Sequence, residues 1–135
     1  VKLLIENNVI TKKNLEKFKS NPCLLTTPKE IKFFFKKTHH NVGFLMDVAH
    51  LKVSSKSLKF NLAYAHRSLN HIIVAYHLSD NNGFDDTNSP FNKDAWFWRD
   101  FNNDLDYYTI EVYNLKLKKI NLLKKIVEAK IKKKT

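Results

Sequence analysis

Asn41-Val42-Gly43-Phe44-Leu45-Met46-Asp47 places five residues without a polar side chain in a row and then stops at a carboxylate. A run this short and this continuously apolar is what a strand covered on both faces of a parallel sheet requires. Three further runs have the same form: Lys2 to Glu6, His71 to His77, and Asp106 to Tyr113. Four buried strands are therefore expected.

The segments between them carry helical patterns. Thr11 precedes Lys12 to Phe18 as a plausible cap, and Thr27-Pro28-Lys29-Glu30 puts Pro at the first helical position with Glu30 at the third, a capping box ahead of Ile31 to Lys37. Ser57 to Leu69 and Leu115 to Lys132 are further helical candidates, and a short helix is expected near Asp94 to Phe101 inside a long loop. Strand and helix alternate, which predicts an α/β fold with a parallel sheet and right-handed crossovers.

At 135 residues with 43% hydrophobic content, the chain has the material for one compact unit. It opens on Val1 and runs directly into an apolar segment, from which a preceding segment of a larger protein is expected. No apolar stretch approaches the ~20 residues a membrane helix needs, and no secretory leader is visible, so the expected location is cytoplasmic with no membrane partner. Cys23 is the lone cysteine and has no internal disulfide partner. A net charge of +11 would ordinarily raise nucleic-acid binding. Abundant Lys, Asn, Ile and Phe with scarce Gly and Pro is instead the bias of AT-rich coding sequence. The densest basic run, Lys116 to Lys134, interleaves Leu115, Ile120, Leu123, Val127 and Ile131 at helical spacing, so its lysines mark the wet face of a helix. Nucleic acid is not the expected partner.

The chemistry lies where the apolar runs end. Glu6, Asp47 and His77 close the first three runs, and Glu111 stands near the end of the fourth. In a parallel α/β barrel the carboxyl ends of the strands form the active-site rim, so these four side chains are expected to converge. The residues two places earlier, Leu4, Leu45, Ala75 and Thr109, suit the same inward face. Three carboxylates packed together repel unless a cation sits among them. Three carboxylate oxygens and one imidazole nitrogen form a mostly hard ligand set, which favours one divalent ion, Mn2+, Mg2+ or Co2+, with Zn2+ as the alternative.

Gly43-Phe44-Leu45-Met46-Asp47-Val48-Ala49-His50-Leu51-Lys52-Val53-Ser54, followed by Ala75-Tyr76-His77-Leu78-Ser79-Asp80-Asn81-Asn82-Gly83, resembles the sugar phosphate isomerase/epimerase family, the xylose-isomerase-like barrels whose superfamily includes the endonuclease IV fold. Glu6-Asn7-Asn8 and Ile110-Glu111-Val112-Tyr113 are similar to the flanking strands of that family. The resemblance implies that residues 1–135 are the C-terminal half of a (β/α)8 TIM barrel, strands five to eight. It places the metal ligands on Glu6, Asp47, His77 and Glu111. The intervals of 41, 30 and 34 residues between them each match about one β-α unit. It further implies that Glu6 and Glu111 are the catalytic acid/base pair acting on a small sugar substrate, and that His50 donates a hydrogen bond to a substrate oxygen.

Lys52 is a candidate for a substrate carboxylate or phosphate, and Trp96 and Trp98 for a lid or wall of the sugar pocket, with plain packing of that loop as the alternative. Asp85 and Asp86 read as loop residues. The endonuclease IV-like members carry Asp-x-His after the seventh strand, where this chain has Asp86-Thr87-Asn88. Where the epimerases often place an arginine six residues after the metal-binding His, it has Gly83. The expected function is thus metal-dependent isomerisation or epimerisation. The alternatives are an endonuclease IV-like phosphodiesterase, or a noncatalytic fragment that needs a separate N-terminal half or pairs with itself.

Overall fold

A computed structural model describes residues 2–132. It is an α/β fold whose single sheet has four strands in the order of the chain, β1 (Leu3–Glu6), β2 (Val42–Asp47), β3 (Ile73–Leu78) and β4 (Tyr107–Ile110), every neighbouring pair parallel. Five helices connect or follow them: α1 (Lys12–Phe18), α2 (Pro28–Lys37), α3 (Val48–Leu58), α4 (Leu62–Leu69) and α5 (Leu117–Lys130). A parallel sheet wound always in the same direction with right-handed crossovers puts its helices on one face.

That face holds the core. Phe44 and Met46 of β2 and Tyr76 and Leu78 of β3 pack with Ile31, Leu51, Leu69, Leu123 and Val127 from the helices. Each large apolar side chain removed from water here contributes roughly 1.5–3 kcal/mol. On the other face Leu4 and Leu45 are half-buried and Tyr107 and Thr109 are exposed. At its lower end the register slips between Phe44 and Leu45, so Ile73 pairs with Phe44 while Ala75 pairs with Leu45, leaving Val74 as the extra residue. A Cβ on Gly43 would lie 2.6 Å from Val74 Cγ2 and 3.0 Å from Leu4 Cδ2, so only glycine fits between those two side chains.

The helix starts follow the capping chemistry. Thr27 and Glu30 form the reciprocal box, the amide of Glu30 donating to Thr27 Oγ1 at 3.3 Å and that of Thr27 to Glu30 Oε2 at 3.1 Å. Thr11 caps α1. Two expectations need correction. Val48–Leu58 is a helix that begins directly on the last residue of β2, and the helix expected from Ser57 starts afresh at Leu62. Lys59, left-handed at φ 58°, ends α3, and Asn61 caps α4 by accepting from the Tyr64 amide. The fourth strand is also shorter than Asp106 to Tyr113, and the short helix near Asp94 to Phe101 is a 3-10 helix over Trp96–Asp100. No described helix is long and apolar enough to cross a membrane.

Candidate metal centre

The register decides which side chains meet. Asp47 pairs with His77, Glu6 pairs with Leu45, and His77 pairs with Thr109. The site therefore climbs two residues between β1 and β2, none between β2 and β3, and two between β3 and Glu111, whose amide extends the ladder by donating to the Leu78 carbonyl at 3.0 Å. Side chains two apart on one strand share a face, so all four project from the face opposite the core. One ligand atom from each of Glu6, Asp47, His77 and Glu111 lies within 4.8 Å of every other. The convergence expected from the strand ends is present.

The bonding inside this cluster is incomplete. His77 Nδ1 stands 2.8 Å from Glu6 Oε1 and 2.7 Å from Glu111 Oε2, but one ring nitrogen cannot point at both oxygens. Its direction satisfies neither, and Nδ1 and Glu6 Oε1 are both buried without a hydrogen bond. Asp47 Oδ2 is buried and unpartnered as well. Three polar atoms shielded from water without a hydrogen bond, two of them carboxylate oxygens, are costly. Their chemistry fits a hard divalent ion, which would satisfy all of them at once.

Asp47 has two jobs. It is the N-cap of α3, its Oδ1 accepting from the His50 amide at 2.7 Å, which leaves Oδ2 for the cluster. Burial pushes its carboxyl up to about 6, with the charges of Glu6 and Asp86 adding to the shift and His50 opposing it. Burial also acts to raise Glu6, but the contact with His77 and the charges of His50 and His77 prevail and hold it below the usual value. His77 is raised by its contact with Glu6 and by the charges of Glu6, Glu111 and Asp47, against a desolvation penalty.

A second layer of hydrogen bonds holds these side chains. Asn7, buried beside Glu6, accepts from the Asp47 amide and donates to the Asp47 carbonyl. The Asn7 carbonyl in turn lies 2.8 Å from His50 Nδ1, and His50 Nε2 lies 3.1 Å from Asp86 Oδ2. Burial opposes charge on His50, but Asp86, Asp47 and the Asn7 carbonyl raise it to about 9. Both ring nitrogens of His50 are thus committed within the chain, in place of the free donor expected at a substrate oxygen. Asp86, read from sequence as a loop residue, is its partner across 36 residues. Tyr113, exposed beside Glu111, has its phenol pushed up chiefly by the Glu111 charge.

Lys52 sits on α3 with Nζ 2.6 Å from Asp80 Oδ1, and it also donates to the Asn81 carbonyl. Trp96 and Trp98 belong to the other side of the sheet. Trp96 stacks edge-on against His66 of α4, and Trp98 packs among Phe91, Phe97 and Phe101 with Lys130 of α5 over its ring. Phe101 leans on Tyr76, which faces away from His77 by strand alternation. These indoles wall the core, the packing alternative, and the sugar-wall role is withdrawn for them. Asn7, Asp86 and Tyr113 are the additions. Only Asn7, adjacent to a ligand at a strand end, left a usable signal in the sequence.

No protein-family model, curated protein or solved structure matches this chain.

Proposed function

We propose that this protein is a metal-dependent isomerase or epimerase that removes and returns a proton next to the carbonyl of a small sugar or related hydroxy-carbonyl compound. The convergence of Glu6, Asp47, His77 and Glu111, with buried oxygens left unpartnered, carries the reading. The sheet supports it. A site that climbs four residues of register across four strands is close to the stagger of an eight-stranded barrel with a shear of about 8. In this reading the chain is strands five to eight of a (β/α)8 barrel, and the uncovered sheet face is the interior that a separate N-terminal half or a second copy would close.

Glu6, Asp47, His77 and Glu111 would hold Mn2+, Mg2+ or Co2+, with Zn2+ as the alternative. When bound, such an ion supplies positive charge to the carbonyl and hydroxyl oxygens of the substrate, where negative charge builds as the neighbouring carbon loses its proton. Glu6 and Glu111 reach the cluster from the two outer edges of the sheet, each with one carboxylate oxygen against His77 Nδ1. Each side chain keeps about a third of its surface exposed, 34% and 31%, so each faces the mouth as well as the cluster. One takes a proton from one face of the substrate, the other delivers a proton of its own to the opposite face, and exchange with water resets the pair. The lowered Glu6 carboxyl is ionised at neutral pH, as a base must be.

Metal titration of the wild type and Glu111→Gln tests the site, and exchange of the substrate's α-proton in D2O, followed by NMR with unmodified ketoses, tests the reaction. One ion per chain, bound at least about tenfold more weakly by the variant, is expected. Unchanged metal content together with unchanged exchange in Glu111→Gln would refute the assignment.

A further inference from the structure

Helix α3 starts at the carboxyl edge of β2, and from its successive turns His50, Lys52 and Lys56 reach the loop that follows the carboxyl end of β3. These are the groups that a phosphorylated or carboxylated substrate would use. All three are taken by one loop. Asp86 Oδ2 holds His50 Nε2 at 3.1 Å, Asp80 Oδ1 holds Lys52 Nζ at 2.6 Å, and the Asn82 carbonyl accepts from Lys56 Nζ at 2.9 Å. The Phe84 ring lies under the Lys56 ammonium at 4.2 Å from its centroid.

The loop is shaped for this capture. Its ends are pinned by the pair of backbone hydrogen bonds between Asp80 and Ser89, each 2.8 Å. Gly83 has φ +81°, and a Cβ there would stand 2.6 Å from Lys56 Cδ, so the lysine stem occupies space that only glycine leaves open. Asn81, buried, donates to the Ala49 carbonyl of α3 and accepts from the Gly83 amide. After the two outer strands, the next cations along the chain are Lys12, six residues after Glu6 at the start of α1, and Lys116, five after Glu111 at the start of α5. Lys12 is directed at Glu16 on the solvent face of α1.

We infer that loop 80–89 masks the cations of α3 and so makes the site select an uncharged hydroxy-carbonyl substrate over its phosphate ester. The inference rests on the proposed function above. Three ligand carboxylates against one divalent ion leave the centre negative, and no unpaired cation from α3 offsets a phosphate dianion placed beside it. An uncharged polyol loses nothing by that arrangement, because its hydroxyls need only hydrogen-bonding groups.

Dihydroxyacetone and dihydroxyacetone phosphate differ only by the phosphate and serve as the probes. Their Kd values for the Mn2+-loaded full chain are read from the change in water-proton relaxation, for the wild type and for Asp80→Asn, which releases Lys52. The wild type is expected to bind the free ketose at least about tenfold more tightly than the ester. Asp80→Asn should gain about tenfold for the ester with the ketose within about twofold, a gain that damage to the fold would not produce. A wild type that binds the ester as well as the ketose overturns the inference and leaves the proposed function standing. A chain that binds no Mn2+ at all overturns both.

Discussion

Asn7 grips Asp47 by both backbone polar groups: the Asp47 amide donates to Asn7 Oδ1 at 2.8 Å, and Asn7 Nδ2 donates to the Asp47 carbonyl at 3.0 Å. The pair ties the residue after Glu6 to the backbone of Asp47 across the β1–β2 edge. Asn7→Ala leaves a buried N–H and a buried C=O without partners, which costs about 2–4 kcal/mol in stability. It also frees the Asp47 carboxylate from its fixed direction, so Mn2+ affinity should fall about 10–100-fold. Urea unfolding and Mn2+ titration by electron paramagnetic resonance read the two effects, and wild-type affinity in Asn7→Ala would dismiss the clamp.

Metal binding should depend steeply on pH. Asp47, pushed up to about 6 by burial, and His77, raised chiefly by its contact with Glu6, must each be free of the proton that competes with the ion. Raised pKa values mean protons are retained to higher pH, so affinity climbs as pH rises through 6 and beyond and is lost below it. A change of at least about tenfold per pH unit is expected between pH 5 and 6.5. Co2+ titrations across pH 5–8 measure it, and a flat profile would remove Asp47 and His77 from the ligand set.

The strands and the cluster at their ends were legible because burial on a parallel sheet imposes a continuous apolar run and the rim imposes a polar stop. Val42–Asp47 differs from the expected strand by one residue at its start. Helix α3 was not legible, since Val48 follows Asp47 without a loop and Val48-Ala49-His50-Leu51-Lys52-Val53 alternates apolar and polar residues in part as a strand does. What makes it a helix is the Asp47 cap together with the burial of Val48, Ala49, Leu51 and Val53, a tertiary effect. The same holds for Asp86: an aspartate in a polar loop announces nothing until the fold brings it to His50. Trp96 and Trp98 misled because large aromatics in a long loop fit a pocket wall and a core equally well, and only the neighbours on α4 and α5 decide.

That placement of the indoles makes a prediction of its own. Trp98→Ala removes a ring packed against Phe91, Phe97 and Phe101 and should destabilise the chain by about 2–4 kcal/mol. Mn2+ affinity of the folded variant should stay within about twofold, because the ring lies on the face of the sheet away from His77. Loss of metal binding at a temperature where the variant is folded would contradict the placement.

His66 predicts how the core responds to acid. Its ring is buried between Trp96 and Tyr76, with Nε2 3.0 Å from the Tyr76 hydroxyl, and burial lowers its pKa to about 4 although Asp100 opposes the shift. The unfolded chain takes up this proton near the ordinary value of about 6.5, while the folded chain resists it until about 4. Between those values the unfolded state binds more protons, so the contribution of His66 is fully present above pH 6.5 and is lost as pH falls toward 4, about 3 kcal/mol in all. Asp47 works in the opposite sense without metal, since its raised carboxyl holds a proton in the folded state that the unfolded state has already lost. Whole-protein pH profiles mix the two, and a comparison with His66→Gln separates them. In urea unfolding at pH 7.5 and pH 5 the variant should lose less stability on acidification than the wild type, and parallel losses in both would show that the His66 proton does not govern the acid limb.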